Sequence, residues 1–204
     1  MNRRTQNRRK IVIGVTGNFG SGKTTVANIF RSSGARIIDA DRIAHGLLTP
    51  RSKTYQRIIG IFGPAILKKN KTIDRRRLAA IVFADENLRN KINNIIHPQV
   101  IRIIKRKIRA FARGVIILDV PLLIEAGLMN MVDKLIVVKI SRKEQIKRLQ
   151  AKTSLDKYEI LKRINAQMAQ NQKIRLADFI IDNSSTIKQT KKQAQVIRRT
   201  LWKN

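Results

Sequence analysis

The chain has 204 residues, which is enough for one large core and leaves little room for a second independent domain. Its 44 Lys and Arg against 13 Asp and Glu give a formal net charge of +31, which favours anionic partners such as phosphates or nucleic acid. Cysteine is absent, which excludes disulfides, cysteine metal sites and thiol catalysis. No segment approaches the ~18 apolar residues of a membrane span and none resembles a signal peptide, so we expect a cytoplasmic protein without a membrane partner.

The basic residues are spread over the whole chain. A compositional bias that leaves a solvated positive surface accounts for them at least as well as a dedicated nucleic-acid surface. Only residues 1–10 form a concentrated basic run. We predict a disordered tail there.

A phosphate-binding motif, G-x-x-x-x-G-K-[ST], occupies Gly17 to Thr24. The apolar run Ile11–Val15 before it predicts a buried strand, and Thr24–Phe30 after it has helical spacing. In this context the backbone N–H groups surround a phosphate at the positive end of a helix, Lys23 contacts the β- and γ-phosphates, and Thr24 binds Mg²⁺. The residues predicted to contact ATP in this segment are Gly17, Asn18, Phe19, Gly20, Ser21, Gly22, Lys23, Thr24 and Thr25.

A second strand, predicted over Ala35–Ile38, leads into Asp39-Ala40-Asp41. Ligands of open parallel sheets collect beyond the carboxyl ends of the strands, so these carboxylates are expected to face the triphosphate site. Asp41 there can accept a proton from an attacking hydroxyl or support the water shell of the metal. We favour this catalytic role for Asp41 over its alternative, a helix N-cap, whereas for Asp39 both readings stay open.

Residues from about 50 to 113 interrupt the alternation of strands and helices and predict a helical insertion that carries the acceptor site. Asp74 is the expected N-cap of its second helix, and His97 before Pro98 is expected to lie in a turn between the last two helices. The four predicted helices are Tyr55–Gly63, Asp74–Phe83, Asn87–Ile96 and Pro98–Phe111.

The segment Val115–Asp119 predicts a strand whose terminal carboxylate supports Mg²⁺, whereas Glu125 could face either solvent or the acceptor. Residues from about 150 to 177 lie where small kinases carry a lid. Among the basic residues in or beside this region, we expect Arg148 to be functional and three others to be solvated; the three are Lys152, Arg163 and Lys173. The remaining predicted elements are a strand at Lys134–Ile140, a helix opened by a capping box at Ser141–Glu144 and ending at Leu149, a strand at Phe179–Asn183 and a helix at Ile187–Trp202.

Taken in order, these motifs resemble the dephospho-coenzyme A kinase family. The resemblance runs over nearly the whole chain from Ile11, and its later motifs are far more specific than the phosphate loop alone. Beyond that loop it rests on Asp39-Ala40-Asp41, Phe62-Gly63, Asp74-Arg75 with Leu78 and Phe83, His97-Pro98, Asp119-Val120-Pro121-Leu122-Leu123-Ile124-Glu125, Gln145 with Arg148, Gln167, and Ala177-Asp178 with Asn183.

The resemblance implies transfer of the ATP γ-phosphoryl group, with Mg²⁺, to the ribose 3′-hydroxyl of dephospho-coenzyme A, the last step of coenzyme A synthesis. It implies an α/β P-loop NTPase-type three-layer sandwich with a parallel five-stranded sheet. The sandwich core would comprise residues 11–49, 114–150 and 178–204, with the acceptor insertion and the lid between them.

By position, the resemblance implies catalytic roles for Asp41, Lys23 and Arg148, a metal site at Thr24 and Asp119, and Asn183 near the ATP base. The residues implied on the acceptor side are Asp74, Arg75, His97, Pro121, Leu122, Leu123 and Glu125. The chain departs from the family pattern at Lys152, Gln170 and Ser184-Ser185; Lys152 keeps the charge of an arginine but loses its planar two-pronged contact.

Two alternatives remain at this stage. One is another small P-loop kinase that acts on a nucleoside or nucleotide. The other is a basic nucleic-acid-binding ATPase, for which the aromatic content of 4% supplies a poor stacking platform. We therefore expect dephospho-coenzyme A as the partner, no specific nucleic acid, and a monomer.

Overall fold

The strands and helices of the chain are seen in a computed structural model that describes residues 10–202. The predicted basic tail lies outside this range except for Lys10. The strands are β1 (Lys10–Thr16), β2 (Arg36–Asp39), β3 (Gly114–Asp119), β4 (Lys134–Lys139) and β5 (Phe179–Asp182). The helices are α1 (Lys23–Ser32), α2 (Ala40–Leu47), α3 (Lys53–Phe62), α4 (Arg75–Ala84), α5 (Glu86–Arg109), α6 (Arg142–Lys152), α7 (Lys157–Asn165), α8 (Gln170–Arg175) and α9 (Ile187–Leu201), with short 3₁₀ turns at Pro64–Ile66 and Leu128–Met131.

Within residues 10–202 the strands form one five-stranded sheet in the order β2-β3-β1-β4-β5. The central strand β1 runs parallel to β3 and β4, and β4 runs parallel to β5. Val15 lies opposite Asp119 of β3, and Thr16 lies opposite Val137 of β4. The ends of β1 and β3 are therefore level, which places the phosphate loop and Asp119 at the same edge of the sheet. The predicted parallel α/β fold is confirmed.

One face of the sheet is covered by α1 and α9. Alternate apolar residues of the strands point to this face, as the two-residue period of a strand requires. Phe30 of α1 is fully buried there and stacks on Trp202, with ring centroids 5.8 Å apart. The buried residues of this cluster are Ile13, Val15, Val26, Ala27, Phe30, Ala35, Val115, Ile117, Ile136, Val138, Ile181, Ala194 and Ile197.

The chain divides into two compact units. One comprises residues up to Ile38 together with those from Ala110 onward, and the other is Asp39–Arg109. The second unit contains α2 to α5 and has an apolar core of its own. Its buried members are Tyr55, Ile58, Ile66, Ile73, Leu78, Ile92 and Ile95.

The prediction of two helices separated by a turn at His97 is wrong. Residues Glu86–Arg109 form the single helix α5, with Pro98 inside it, so His97 lies in the middle of a helix. Proline removes one backbone hydrogen bond from the helix, but it does not interrupt the apolar face. Ile92 and Ile95 before the proline and Ile104 after it are all buried, and this continuous face favours one helix over two.

The structure shows which residues cap the N-termini of α2, α4 and α6, for which the sequence analysis had made predictions. Asp39, and not Asp41, caps α2, since its carboxylate accepts from Arg42 N at 2.9 Å. Asp74 caps α4 as expected, accepting from the backbone N–H groups of the next turn. Ser141 caps α6, but the second half of the predicted capping box is missing from the described contacts, because Glu144 Oε1 accepts from Nε of Arg148 instead.

The helices of residues 10–202 include none with both the length and the apolar character needed to cross a membrane.

Asp178 joins the starts of β4 and β5. Its two carboxylate oxygens accept from Nζ of Lys134 and from the backbone N of Leu135, each at 2.8 Å. The side-chain hydrogen bond from Lys134, followed by the one from Leu135, lowers the pKa of Asp178 below its usual value. A carboxyl whose pKa is lower in the folded state stabilises the fold above its unfolded pKa, and this stabilisation is lost as the pH falls through the folded value.

We predict that Asp178→Asn lowers the free energy of unfolding by about 1 kcal/mol at pH 7, a modest value because the pair is partly exposed. The difference from the unmodified chain should begin to shrink as the pH falls below the unfolded pKa of ~4, and it disappears as the pH passes through the lower pKa of the folded carboxyl. Urea unfolding at pH 7 and at pH 3.5 measures both effects. Lys134→Met keeps the bond between Asp178 and Leu135 and should therefore lose less stability than Asp178→Asn. If Asp178→Asn were as stable as the unmodified chain at pH 7, the stabilising role given to Asp178 would be contradicted.

Candidate active site

The phosphate loop lies between β1 and α1 and depends on two glycines for its path. Gly17 has φ +153°, and a Cβ there would lie 2.4 Å from the carbonyl oxygen of Val138. Gly22 has φ +90°, and a Cβ there would lie 2.1 Å from Nδ2 of Asn183. Neither position accepts a side chain without displacement of its neighbours, so the loop requires glycine at both ends for steric and conformational reasons.

Lys23 is the first residue of α1 and folds back over the loop. Its Nζ donates to the carbonyl oxygens of Gly17 at 2.9 Å and Asn18 at 3.2 Å. These bonds hold a positive charge at the mouth of the loop. The predicted phosphate contacts of Lys23 are consistent with this location.

Two buried polar atoms of the loop lack a hydrogen-bond partner among the described residues. They are Oδ1 of Asn18, a residue only 4% exposed, and Oγ of the fully buried Ser21. Buried polar groups are normally hydrogen-bonded, and an exception often marks the place of a ligand or a water molecule. Together with the glycine-lined backbone, these atoms fit the predicted binding of a nucleotide.

The tip of the loop is held by amide side chains from distant parts of the chain. The backbone N of Phe19 donates to Oε1 of Gln167 at 2.7 Å, and its carbonyl accepts from Nε2 of Gln145 on α6 at 2.5 Å. Asn18 Nδ2 donates to the carbonyl of Met168 at 3.1 Å. These bonds set the orientation of the peptide groups on both sides of Phe19.

Asn183, which follows β5, holds the other side of the loop. It is buried, and its Nδ2 donates to the carbonyl of Ser21 at 2.8 Å while its Oδ1 accepts from the hydroxyl of Thr190 at 2.9 Å. The family resemblance implies a place for Asn183 near the ATP base, and this stays a prediction. The structure adds a second role, in which Asn183 links the phosphate loop to α9.

Arg148 connects α6 to the turn after β5. Its guanidinium donates to Oε1 of Glu144 at 2.8 Å, to the carbonyl of Asn183 at 2.8 Å and to the carbonyl of Ser185 at 3.1 Å. These contacts position α6 beside the segment that holds the phosphate loop. The catalytic role of Arg148 stays a prediction.

The metal residues predicted from the sequence are Thr24 and Asp119. Thr24 follows Lys23 in the first turn of α1, and the buried Asp119 ends β3 level with Val15. A hydroxyl and a carboxylate are hard oxygen donors of the kind that Mg²⁺ prefers, and Mg²⁺ usually keeps several waters and phosphate oxygens as further ligands. Residues 10–202 contain no group of three or more His, Cys, Asp or Glu side chains that could hold a metal ion. The roles of Thr24 and Asp119 as metal ligands stay a prediction.

The segment Pro121–Glu125 after β3 is divided between packing and polar contacts. The carbonyl of Pro121 accepts from the hydroxyl of Thr16, and Leu123 is fully buried against Gly14. Leu122 is exposed, and Glu125 lies 2.7 Å from Nζ of Lys173. The predicted contact of this segment with the acceptor stays a prediction.

In the second unit, the predicted acceptor residues Asp74 and Arg75 line one cleft of about 560 Å³. The cleft is also lined by His45, Lys68 and Arg76, for which the sequence analysis predicted no role. His97 on α5 and Asp41 in the first turn of α2 are exposed and are not among its lining residues. The backbone N–H groups of α4, that of Arg77 foremost, lower the pKa of Asp74, although its burial acts in the opposite sense, and its carboxylate stays charged at neutral pH.

These motifs and their spacing agree with a family model described as dephospho-CoA kinase (CoaE), which matches residues 11–189. The chain belongs to the dephospho-CoA kinase family. Members of this family use ATP with Mg²⁺.

Individual relatives agree with the family model. A dephospho-CoA kinase of Carboxydothermus hydrogenoformans is 42% identical over 197 residues, which cover 95% of this chain and 96% of that protein. The crystal structure of TT1252 from Thermus thermophilus has a TM-score of 0.83 at 27% identity and covers 97% of this chain and 100% of its own. The dephospho-CoA kinase of Campylobacter jejuni has a TM-score of 0.69 at 28% identity. The match covers 95% of this chain and 98% of that chain.

Sequence reasoning missed several residues that shape the site of this dephospho-CoA kinase family member. Lys173 was expected to be solvated, and this is wrong, since the residue is fully buried and paired with Glu125. Gln145 and Gln167 belong to the family motif set, but nothing in their local pattern indicated that they bind the loop backbone. Arg163 was expected to be solvated and is exposed, and its guanidinium lies 5.9 Å from the ring centre of Phe19.

We predict that Asn183→Ala lowers the free energy of unfolding by about 2 kcal/mol, because the carbonyl of Ser21 loses a buried partner. Looser anchoring of the loop should also weaken ATP binding. Denaturant unfolding and calorimetric titration with an ATP analogue measure the two effects. Ser185→Ala is the matched control, since only the backbone carbonyl of Ser185 accepts from Arg148; equal losses in the two variants would contradict the role given to Asn183.

Proposed function

We propose that the chain is a dephospho-CoA kinase that transfers the γ-phosphoryl group of ATP to the ribose 3′-hydroxyl of dephospho-CoA, giving coenzyme A and ADP. The observation that carries this proposal is the complete phosphate loop, anchored on both sides by family-motif side chains, in a chain that belongs to this family. A small nucleoside kinase would share the loop but not the later motifs. We therefore rank it below this activity.

The loop binds the triphosphate. Transfer of the γ-phosphoryl group then depends on the positions of the reacting groups and on stabilisation of the charge on the phosphates. Backbone N–H groups of residues 17–24 and the ammonium of Lys23 hold the β- and γ-phosphates, and Lys23 exchanges its present carbonyl partners for phosphate oxygens. Thr24 and Asp119 would hold Mg²⁺, which would neutralise charge on the phosphates. Asn183 and the neighbouring turn are proposed to contact the ATP base.

Asp41 orients the 3′-hydroxyl and accepts its proton as the oxygen attacks phosphorus. Two observations support this role. The carboxylate is exposed in the first turn of α2, directly after the strand β2, and the cap of that helix is supplied by Asp39 and does not require Asp41. A carboxylate at this place can accept the proton of the attacking hydroxyl and so act as the base.

The second unit supplies the acceptor side, as the insertion of residues from about 50 to 113 was expected to do. The cleft at Asp74 carries the cationic side chains of Lys68, Arg75 and Arg76, which suit the pyrophosphate of dephospho-CoA. His97 and residues 121–125 are proposed as further acceptor contacts. Residues from about 150 to 177, including α7 and α8, are proposed as the lid, and Arg148 at its base is proposed to act on the transferred phosphate.

We further infer that the enzyme works in the cytoplasm, where ATP is abundant, as a monomer and without a specific nucleic-acid partner. The positive surface supports general attraction of anions and no sequence-selective contact.

The test is formation of coenzyme A by the purified chain from dephospho-CoA and Mg²⁺-ATP, identified by product mass. Product is expected for the unmodified chain and not for Lys23→Ala, which removes the charge at the mouth of the loop. Adenosine, AMP and other nucleosides serve as competing acceptors. ATP binding without coenzyme A formation would reject dephospho-CoA as the acceptor, and preference for a nucleoside would favour the other kinase.

We predict that Asp41→Asn lowers kcat by a factor of about 10² to 10⁴, the usual contribution of a general base, while the affinity for ATP changes little. Steady-state kinetics with both substrates separates the two parameters. Asp85→Asn, a change of the same chemistry at the start of α5, is the control and should keep its kcat. Turnover of Asp41→Asn at the unmodified rate would remove Asp41 from the mechanism.

A further inference from the structure

Lys173 on α8 is a fully buried lysine. Its Nζ lies 2.7 Å from Oε1 of Glu125, whose side chain is 22% exposed. A buried ammonium is costly unless it is paired, and a buried ion pair is often no more stabilising than apolar side chains of the same size. Stability alone therefore does not explain why this pair occupies the interior.

The carboxylate of Glu125 has a second contact. Its Oε1 also accepts from the backbone N of Met168 at 3.3 Å. The carbonyl of the same residue accepts from Asn18, and the preceding Gln167 accepts from the backbone N of Phe19. One hydrogen-bonded path thus leads from the ion pair to two adjacent residues of the phosphate loop.

Among the described residues, Glu125 is the carboxylate within ion-pair distance of Lys173. Lys173 pulls this carboxylate toward α8, and the carboxylate fixes Met168 at the end of the segment that grips the loop. The bond from Phe19 N to Gln167 depends on that segment. Loss of the acceptor at residue 125 would let residues 167–168 shift and would change the direction of the loop peptides.

We infer that Lys173 and Glu125 are positioning residues of the phosphate loop, acting on ATP binding through Met168 and Gln167. Neither residue needs to touch the nucleotide for this role. The inference rests on the ATP-binding part of the proposed function and does not depend on the identity of the acceptor.

Two double variants separate positioning from stability. Lys173→Met with Glu125→Gln and Lys173→Met with Glu125→Met each remove both charges, so neither leaves a buried charge unpaired. The side chains are similar in length in all cases. Only glutamine keeps an oxygen that can accept from Met168 N.

The variant Lys173→Met with Glu125→Met is called Met/Met, and Lys173→Met with Glu125→Gln is called Met/Gln. We expect Met/Met to bind a non-hydrolysable ATP analogue about fivefold more weakly than Met/Gln, which is the effect of one lost hydrogen bond. The KM for ATP should rise by a similar factor while kcat changes less. Calorimetric titration, steady-state kinetics and thermal melting of both variants provide the data. Equal ATP affinity in the two variants would overturn the inference, and so would a difference in melting temperature with no difference in affinity.

If the Met/Met variant does not fold, Gln167→Met tests the same path without touching the ion pair. It should weaken binding of the ATP analogue at least threefold, and unchanged binding would overturn the inference. Lys188→Met, which removes one exposed charge from α9, controls for the change in net charge and should bind like the unmodified chain. A chain that binds ATP but makes no coenzyme A would reject the proposed acceptor and leave this test intact.

Discussion

The structure depends on one constraint, which is that a short backbone loop must stay curled without a core of its own. Within residues 17–22 the side chain of Phe19 packs against the buried apolar cluster of α6 and α7, whereas the glycines at both ends have no side chain that could pack. The loop is therefore held from outside, by Asn183 on one side and by Gln145 and Gln167 on the other. Its geometry is a property of the whole first unit, because each of these side chains comes from a different part of the chain.

The sheet supplies the frame for these contacts. Because β1 is central and parallel to both neighbours, the ends of three strands converge on the loop. This arrangement explains why Asp119, at the end of β3, and Asn183, just after β5, lie at the edge of the sheet that carries the loop. The residues predicted to carry the chemistry lie at or after the strand ends, while the strands themselves are largely apolar and buried.

Much of this could be predicted from the sequence because the signals are local. The phosphate loop, the apolar strands around it and the cap at Asp74 each lie within a few consecutive residues. The prediction that the helix breaks at Pro98 was wrong because it used only local sequence. The local rule for proline is real, but the apolar face that continues from Ile95 to Ile104 has a stronger effect on the helix.

The contacts that could not be predicted join residues far apart in sequence. Lys173 lies in a polar, basic stretch that is typical of a solvated helix, and only its partner Glu125 accounts for its burial. Glu144 fits a capping box by spacing, yet Arg148 is a better-placed partner in three dimensions. The choice between Asp39 and Asp41 as a helix cap likewise depended on where β2 ends.

The central position of β1 has a consequence for how the protein is made. Its partners β3 and β4 are synthesised about a hundred residues after β1, and long-range pairing of this kind slows folding. The side chains that grip the phosphate loop come later still, with Asn183 after the last strand of the sheet. The loop therefore lacks its contact with Asn183 until that residue has been synthesised, so the anchored loop forms only with the completed first unit.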